Sequence, residues 1–163
     1  IYHAPLESAI MVAMRATHPY EEVAYDLVPL TNAHQGIGSG AVGELPEAMD
    51  EASFLARVKG VFGAPMVRHT ALRGRPVKRV AVCGGSGAFL IGKALAAGAD
   101  AYISGDVKYH EFFQAEGRMV IADIGHFESE RFTMDLIQRR LAGIFPTFAV
   151  RLTDTVTNPI HVS

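Results

Sequence analysis

The sequence predicts an α/β layered domain with a mostly parallel sheet flanked by helices. Three observations carry this. From residue 79 onward, short apolar runs alternate with helix-like segments. The connections between them are short, as in successive β–α units. The chain has 163 residues, 49% hydrophobic and 20% charged, enough to bury one core.

The elements follow in order. Residues 5–16 (PLESAIMVAMRA) predict a helix, with Pro5 suited to its first turn, and His18-Pro19 ends it. Residues 22–30 (EVAYDLVPL) read as a strand. One helix and one strand make no core alone, so this piece needs partners, and the chain is expected to be part of a longer protein. The stretch 32–45 (NAHQGIGSGAVGEL) is Gly-rich and weakly periodic, the best boundary candidate. Then come a helix over 51–62, a buried strand at 79–83 (RVAVC), and an Ala-rich helix over 88–97. A strand over 101–104 precedes a helix over 108–116, and a strand over 119–123 precedes a long helix over 128–144. A last strand is expected over 147–152.

Composition excludes several classes. Fifteen basic against seventeen acidic side chains give a net charge of −2, so no basic excess exists to hold a phosphate backbone. No apolar run approaches the ~18–20 residues of a membrane span. One cysteine, Cys83, excludes an intrachain disulfide framework and a Cys-based zinc cluster, and suits a reducing cytoplasm. With no basic group beside it in sequence, Cys83 reads as a packing residue.

Three constellations carry chemistry. The turn Cys83-Gly84-Gly85-Ser86-Gly87 lies between a strand and a helix. It either cradles a phosphate with backbone N–H groups or is a tight turn whose glycines permit positive φ. The second is IADIGHFESERFTMDLI. His126 opens a helix, and Glu130 lies four residues on, on the same face. Phe127, Met134, Ile137, Leu141 and Ile144 form one apolar stripe, with Glu130 in its middle. A carboxylate facing a core needs a partner or a metal. His–Glu at this spacing is a two-ligand arm of a metal site, a buried ion pair with an arginine, or part of a solvated face. The third is SGDVKYHEFF. Asp106 is placed to cap the following helix, and His110 lies in its first turns as a packing residue or a site residue. Asp106, His110, His126 and Glu130 all follow strand ends, where ligand crevices of α/β sheets lie.

Taken together, GDVKYHEFF, IADIGHFESE, CGGSG, HPYEEVAYDLVPL and GIGSGAVGEL resemble the Nif-three-like family, catalogued as dinuclear-metal proteins and GTP cyclohydrolase I type 2 homologues. The resemblance implies that residues 45–163 are the C-terminal half of the family domain. It implies that 1–31 are the tail of a PII-like, ferredoxin-like insertion, joined by the connection 32–44. It further implies two divalent ions per complete protein, with zinc, iron, manganese and magnesium undistinguished. His126 and Glu130 match the two metal ligands of the C-terminal half. Asp106 and His110 are candidates to orient a ligand or move a proton. The remaining ligands would come from absent sequence, from His3, His34, His69 or His161, or from a second subunit.

Two functions follow as expectations. One is a metal-dependent hydrolase acting on a nucleotide-like substrate, GTP cyclohydrolase-like. The other is a non-enzymatic metal-binding scaffold or regulatory interaction protein. The resemblance also implies a ring-shaped homo-oligomer with a small-molecule or nucleotide ligand, while composition points to the cytoplasm and away from a membrane or nucleic-acid partner.

Overall fold

A computed structural model of the chain describes residues 1–32 and 36–162. The chain divides into two compact units, Ile1–Gln35 and Gly36–Ser163. In the first, a short 3-10 turn over Ala4–Leu6 carries Pro5 and leads into α1, Glu7–Thr17. The helix stops at His18, whose extended backbone is the conformation favoured before Pro19. The strand expected over 22–30 does not form. Apolar side chains such as Leu27, Val28 and Leu30 are exposed there, and no described neighbour offers a ladder. A strand is a pairing, and suitable residues alone do not make one.

The second unit holds a five-stranded sheet in the order β1-β3-β4-β5-β2. The strands are β1 (Ala41–Met49), β2 (Arg68–His69), β3 (Val77–Ser86), β4 (Ala101–Gly105) and β5 (Val120–Asp123). β3, β4 and β5 run parallel, while β1 and β2 pair antiparallel at the two edges. The expected mostly parallel sheet is therefore mixed, with a parallel centre. The edge strands lack local sequence signals. β1 contains Gly43 and Pro46, and its pairing is irregular between Glu44 and Met49, as an edge strand tolerates. β2 has only two residues.

The remaining helices are α2 (Glu51–Phe62), α3 (Ile91–Ala96), α4 (His126–Glu130) and α5 (Phe132–Ile144). Asp50 caps α2 by accepting from the Ser53 N–H at 2.9 Å. Alternation along the central strands divides the core. Tyr102 and Ile121 pack with Ile91 and Ala94 of α3, whereas Ala101, Ile103 and Val120 pack with Phe54 and Val58 of α2.

Four further expectations need correction. The helix expected over 108–116 is a 3-10 helix, Tyr109–Ala115. The long helix breaks at Arg131 into α4 and α5. The strand over 147–152 is absent. The apolar stripe does not face a core: α5 buries no residue, and Met134, Ile137, Leu141 and Ile144 are exposed. Periodicity states which side chains share a face; it does not supply what covers that face.

Candidate functional site

The parallel strands deliver their carboxyl ends to one edge of the sheet, and the polar residues lie just beyond. β4 ends at Gly105, and Asp106 follows with φ +53°. β5 ends at Asp123, and Gly125 precedes His126, the first residue of α4. Gly105 is what lets these two loops meet. A Cβ there would lie 2.8 Å from the Gly125 carbonyl carbon and oxygen and 2.9 Å from His126 Cα.

This approach brings Asp106, His126 and Glu130 into one line. His126 Nδ1 lies 2.7 Å from Asp106 Oδ2. Its other nitrogen, Nε2, lies 3.1 Å from Glu130 Oε2, one turn along the same helix. All three side chains are about half exposed, at 46% for His126, 48% for Asp106 and 51% for Glu130. Glu130 therefore does not face a core; it stands beside the imidazole at the surface.

The end of β3 completes the array. Ser86 Oγ donates to Asp106 Oδ2 at 2.7 Å. Gly85 N–H donates to Ser129 Oγ at 2.8 Å, and Ser129 Oγ donates in turn to the His126 carbonyl at 2.7 Å. Gly85 has φ +65°, and a Cβ there would fall 2.5 Å from Glu130 Oε1. The expected Gly-rich turn is thus the irregular end of a strand, its register shifting between Val82 and Ser86. The Gly87 N–H is also taken, by Ser104 Oγ at 3.0 Å. With both N–H groups engaged internally, the geometry is that of a packing turn.

Electrostatics follow the hydrogen bonds. The Ser86 hydroxyl and then the His126 ring hold the Asp106 carboxyl below the usual carboxylate range. The Asp106 carboxylate raises the pKa of His126 above that of an ordinary histidine; partial burial opposes this, and the nearby Glu130 charge adds to it.

The other candidates are placed differently. Asp106 does not cap the next helix; Glu111 accepts from the Lys108 N–H at 2.6 Å instead. His110 is exposed, with its ring edge-on to Tyr109 at 5.4 Å, and makes no contact with the array. His69 lies in β2 with Nδ1 2.7 Å from the Thr70 carbonyl, and His161 is exposed in the C-terminal segment. His3 belongs to the first unit, and His34 lies outside the described residues. Beside His126 opens a cavity of about 260 Å³, lined among others by Arg68, Asp106, Asp123, Glu128 and Ile160. Its floor is the buried Asp123, which is ion-paired with Arg68 and accepts from the N–H groups of Val107 and Gly125 at 3.0 Å each.

The donor set fits part of a cation's shell. Imidazole nitrogen and carboxylate oxygen on one helix face suit zinc, iron or manganese. Asp106 is spent on the far nitrogen of the ring, so it orients the ring and cannot share an ion with Nε2. Among the described residues no group of three or more His, Cys, Asp or Glu side chains is arranged to hold an ion. Ser86, Ser129 and Gly85 carry no individual signal in the sequence. Ser86 and Gly85 stood in the CGGSG string, but no spacing rule joins residue 86 to residue 106.

An α/β unit carrying a carboxylate–imidazole–carboxylate array beyond its parallel strand ends is the class defined by this fold and site. A family profile described as Duf34/NIF3 (NGG1p interacting factor 3) matches residues 5–159, and the chain belongs to that family. It is 34% identical to a GTP cyclohydrolase 1 type 2 homolog of Bacillus subtilis, over 98% of this chain and 44% of that protein. It is 40% identical to the homolog of the same description from Halalkalibacterium halodurans, over 64% of this chain and 28% of that protein. Among solved structures, a Bacillus cereus protein related to NIF3 superposes with a TM-score of 0.74 at 31% identity, covering 99% of this chain and 46% of that one. A Staphylococcus aureus protein superposes with a TM-score of 0.79 at 25% identity, covering 98% and 53%. The chain spans between 28% and 44% of the curated relatives it matches. No helix among the described residues is long and apolar enough to cross a membrane.

Proposed function

We propose that this chain contributes His126 and Glu130 to a divalent-metal site of a metal-dependent hydrolase acting on a nucleotide-like substrate. The observation that carries the reading is the disposition of the His126 ring. Asp106 holds Nδ1, which leaves Nε2 beside Glu130 Oε2 at 3.1 Å. A carboxylate behind a histidine is the usual support for a metal-ligating imidazole, because it fixes the tautomer and raises the basicity of the other nitrogen. The description of the relatives as GTP cyclohydrolase 1 type 2 homologs supports the choice of a nucleotide-like substrate.

When bound, a divalent cation supplies Lewis acidity and acidifies a water molecule. The chain's own residues do the rest. Glu130 and His126 bind through one oxygen and one nitrogen. Asp106 keeps the ring aligned. Gly85 leaves the space in which the Glu130 carboxylate sits. Two protein ligands are fewer than the three or four of ordinary sites, so the shell is completed by further polypeptide or by a second copy in a homo-oligomer.

The test uses Glu130→Gln and His126→Ala in the full-length protein, with metal content by elemental analysis and turnover on a panel of nucleotides. Both variants are expected to lose metal and turnover together. The loss should exceed the roughly 10–100-fold that removal of a supporting partner costs. If turnover falls in Glu130→Gln while metal stays, Glu130 moves a proton and is not a ligand. If neither changes, it is a structural carboxylate. Metal binding without turnover on any nucleotide would favour a scaffold.

A further inference from the structure

The bulged end of β3 touches the array at a point that the metal reading leaves unused. Ser86 Oγ and His126 Nδ1 both bond to the same oxygen, Asp106 Oδ2, each at 2.7 Å. Asp106 itself sits in the left-handed region, at φ +53°, which an aspartate adopts at some conformational cost. No helix cap explains that conformation, because Glu111 takes the Lys108 N–H. What the conformation does is aim the carboxylate at Ser86 and His126.

We infer that Ser86 is a positioning residue that fixes which nitrogen of His126 faces the cation. This role rests on the metal reading given above. A carboxylate that is half exposed has free rotation about its side chain unless something holds it. Ser86 is the second anchor. Its hydroxyl can only donate here, since an ionised carboxylate only accepts. With Oδ2 fixed between hydroxyl and ring, the shared oxygen demands a proton on Nδ1. Glu130 Oε2, 3.1 Å from Nε2, competes for that proton, and the Ser86-anchored Asp106 tips the neutral ring toward Nδ1–H with the lone pair on Nε2. Without Ser86, Asp106 keeps only the ring as its anchor, and the ring can take its proton on either nitrogen. A ring protonated on Nε2 offers no lone pair beside Glu130. Ser86 lies on the bulge for which the register shifts between Val82 and Ser86, so the irregularity in the strand is what brings the hydroxyl to Asp106.

The test is a zinc titration of the full-length protein followed by the imidazole ¹⁵N signals of His126, in Ser86→Ala and Ser86→Thr. Ser86 is exposed and in a strand, so threonine fits there and keeps the hydroxyl. In the unsubstituted protein the neutral ring should carry its proton on Nδ1, and zinc should shift Nε2. Ser86→Ala should give a mixture of tautomers and weaken zinc by about tenfold or more, and Ser86→Thr should restore both. An alanine variant with the parent's tautomer overturns the inference, whether its zinc affinity is unchanged or reduced; a reduced affinity with the parent's tautomer marks Ser86 as merely structural. If zinc leaves His126 undisturbed but the tautomer still depends on Ser86, the positioning role stands and the metal reading falls.

Discussion

A single missing carbon decides where Glu130 can sit. At Gly85, φ is +65° and a Cβ would lie 2.5 Å from Glu130 Oε1 and 3.3 Å from His126 Cε1. The backbone therefore favours glycine, and a Cβ would oblige the half-exposed Glu130 carboxylate to shift. Gly85→Ala is expected to cost about 1–2 kcal/mol from the left-handed backbone alone. It should also displace the Glu130 carboxylate from the ring. Urea denaturation reads the first effect, and zinc affinity followed by ¹⁵N shifts reads the second. A variant that loses stability but binds zinc as before would show that the carboxylate has room elsewhere. Nearby, Gly105 acts on a larger group, since it lets the end of β4 touch the peptide before His126. Side chains twenty residues apart meet because these two positions have none.

At the scale of elements, the helices that look most alike in sequence behave differently. α2 has an acceptor at its N-cap, a left-handed Gly63 at its C-terminus and a buried face of Phe54 and Val58. α5 has a comparable apolar stripe but buries none of it. Ile137 is 47% exposed and Leu141 37%. Replacing both by lysine is therefore expected to change the stability of this chain by no more than about 0.5 kcal/mol per site. Guanidinium midpoints check this. A loss of 2–5 kcal/mol, the range for truncating a buried large aliphatic side chain, would mean that the stripe is covered in solution. The break at Arg131 matters too. It confines His126 and Glu130 to the five-residue α4, whose position is set by β3 and β4 more than by its own length. An isolated helix of that size has no stability of its own.

At the scale of the molecule, one buried charge cluster ties the sheet to the loop before β3. Arg73 Nε bonds Glu51 Oε1 at 2.9 Å and Arg73 Nη1 bonds Asp100 Oδ1 at 3.0 Å. Glu51 also accepts from the backbone N–H groups of Arg73 and Gly74, and Asp100 from those of Lys78 and Arg79. Burial pushes Glu51 up, but the Arg73 side chain and these two N–H groups outweigh it, and its pKa ends below the ordinary 4.5. The same balance, with burial opposing and the N–H groups of Arg79 and Lys78 and the Arg73 side chain prevailing, puts Asp100 below 3.8. Lowered carboxylate pKa values stabilise the fold above their unfolded values, and this stability is lost as pH falls through the folded ones. Stability should therefore drop from about pH 4.5 downward, within the range where unfolded carboxylates take up protons. Arg73→Ala, which strands two carboxylates, should cost about 3–5 kcal/mol at neutral pH and flatten that acid limb. Denaturation curves from neutral to acid pH measure both.

How much was legible in the chain depends on the range of the interaction. α2, the central strands and the helical start at His126 were readable because their signals are local, such as a short apolar run between turns and a glycine before a polar helix start. The i, i+4 relation of His126 to Glu130 was readable for the same reason. The edge strands were not, because β1 carries Gly43 and Pro46 and owes its conformation to β3. The strands expected over 22–30 and 147–152 failed in the opposite sense, with suitable residues and no ladder to join.

The sequence by itself determined the alternating α/β order, the pairing of His126 with Glu130 on one helical turn, and the likeness of nearly the whole chain to one family. Only the tertiary structure decided that Asp106 turns away from the next helix to hold Nδ1, that Ser86 joins it from a third strand, and that Glu130 stands at the surface. Helical spacing is fixed within a few residues by backbone geometry. The approach of β3, β4 and α4 is fixed by packing between segments twenty to forty residues apart, at glycines whose purpose shows only when the neighbour they admit is in place.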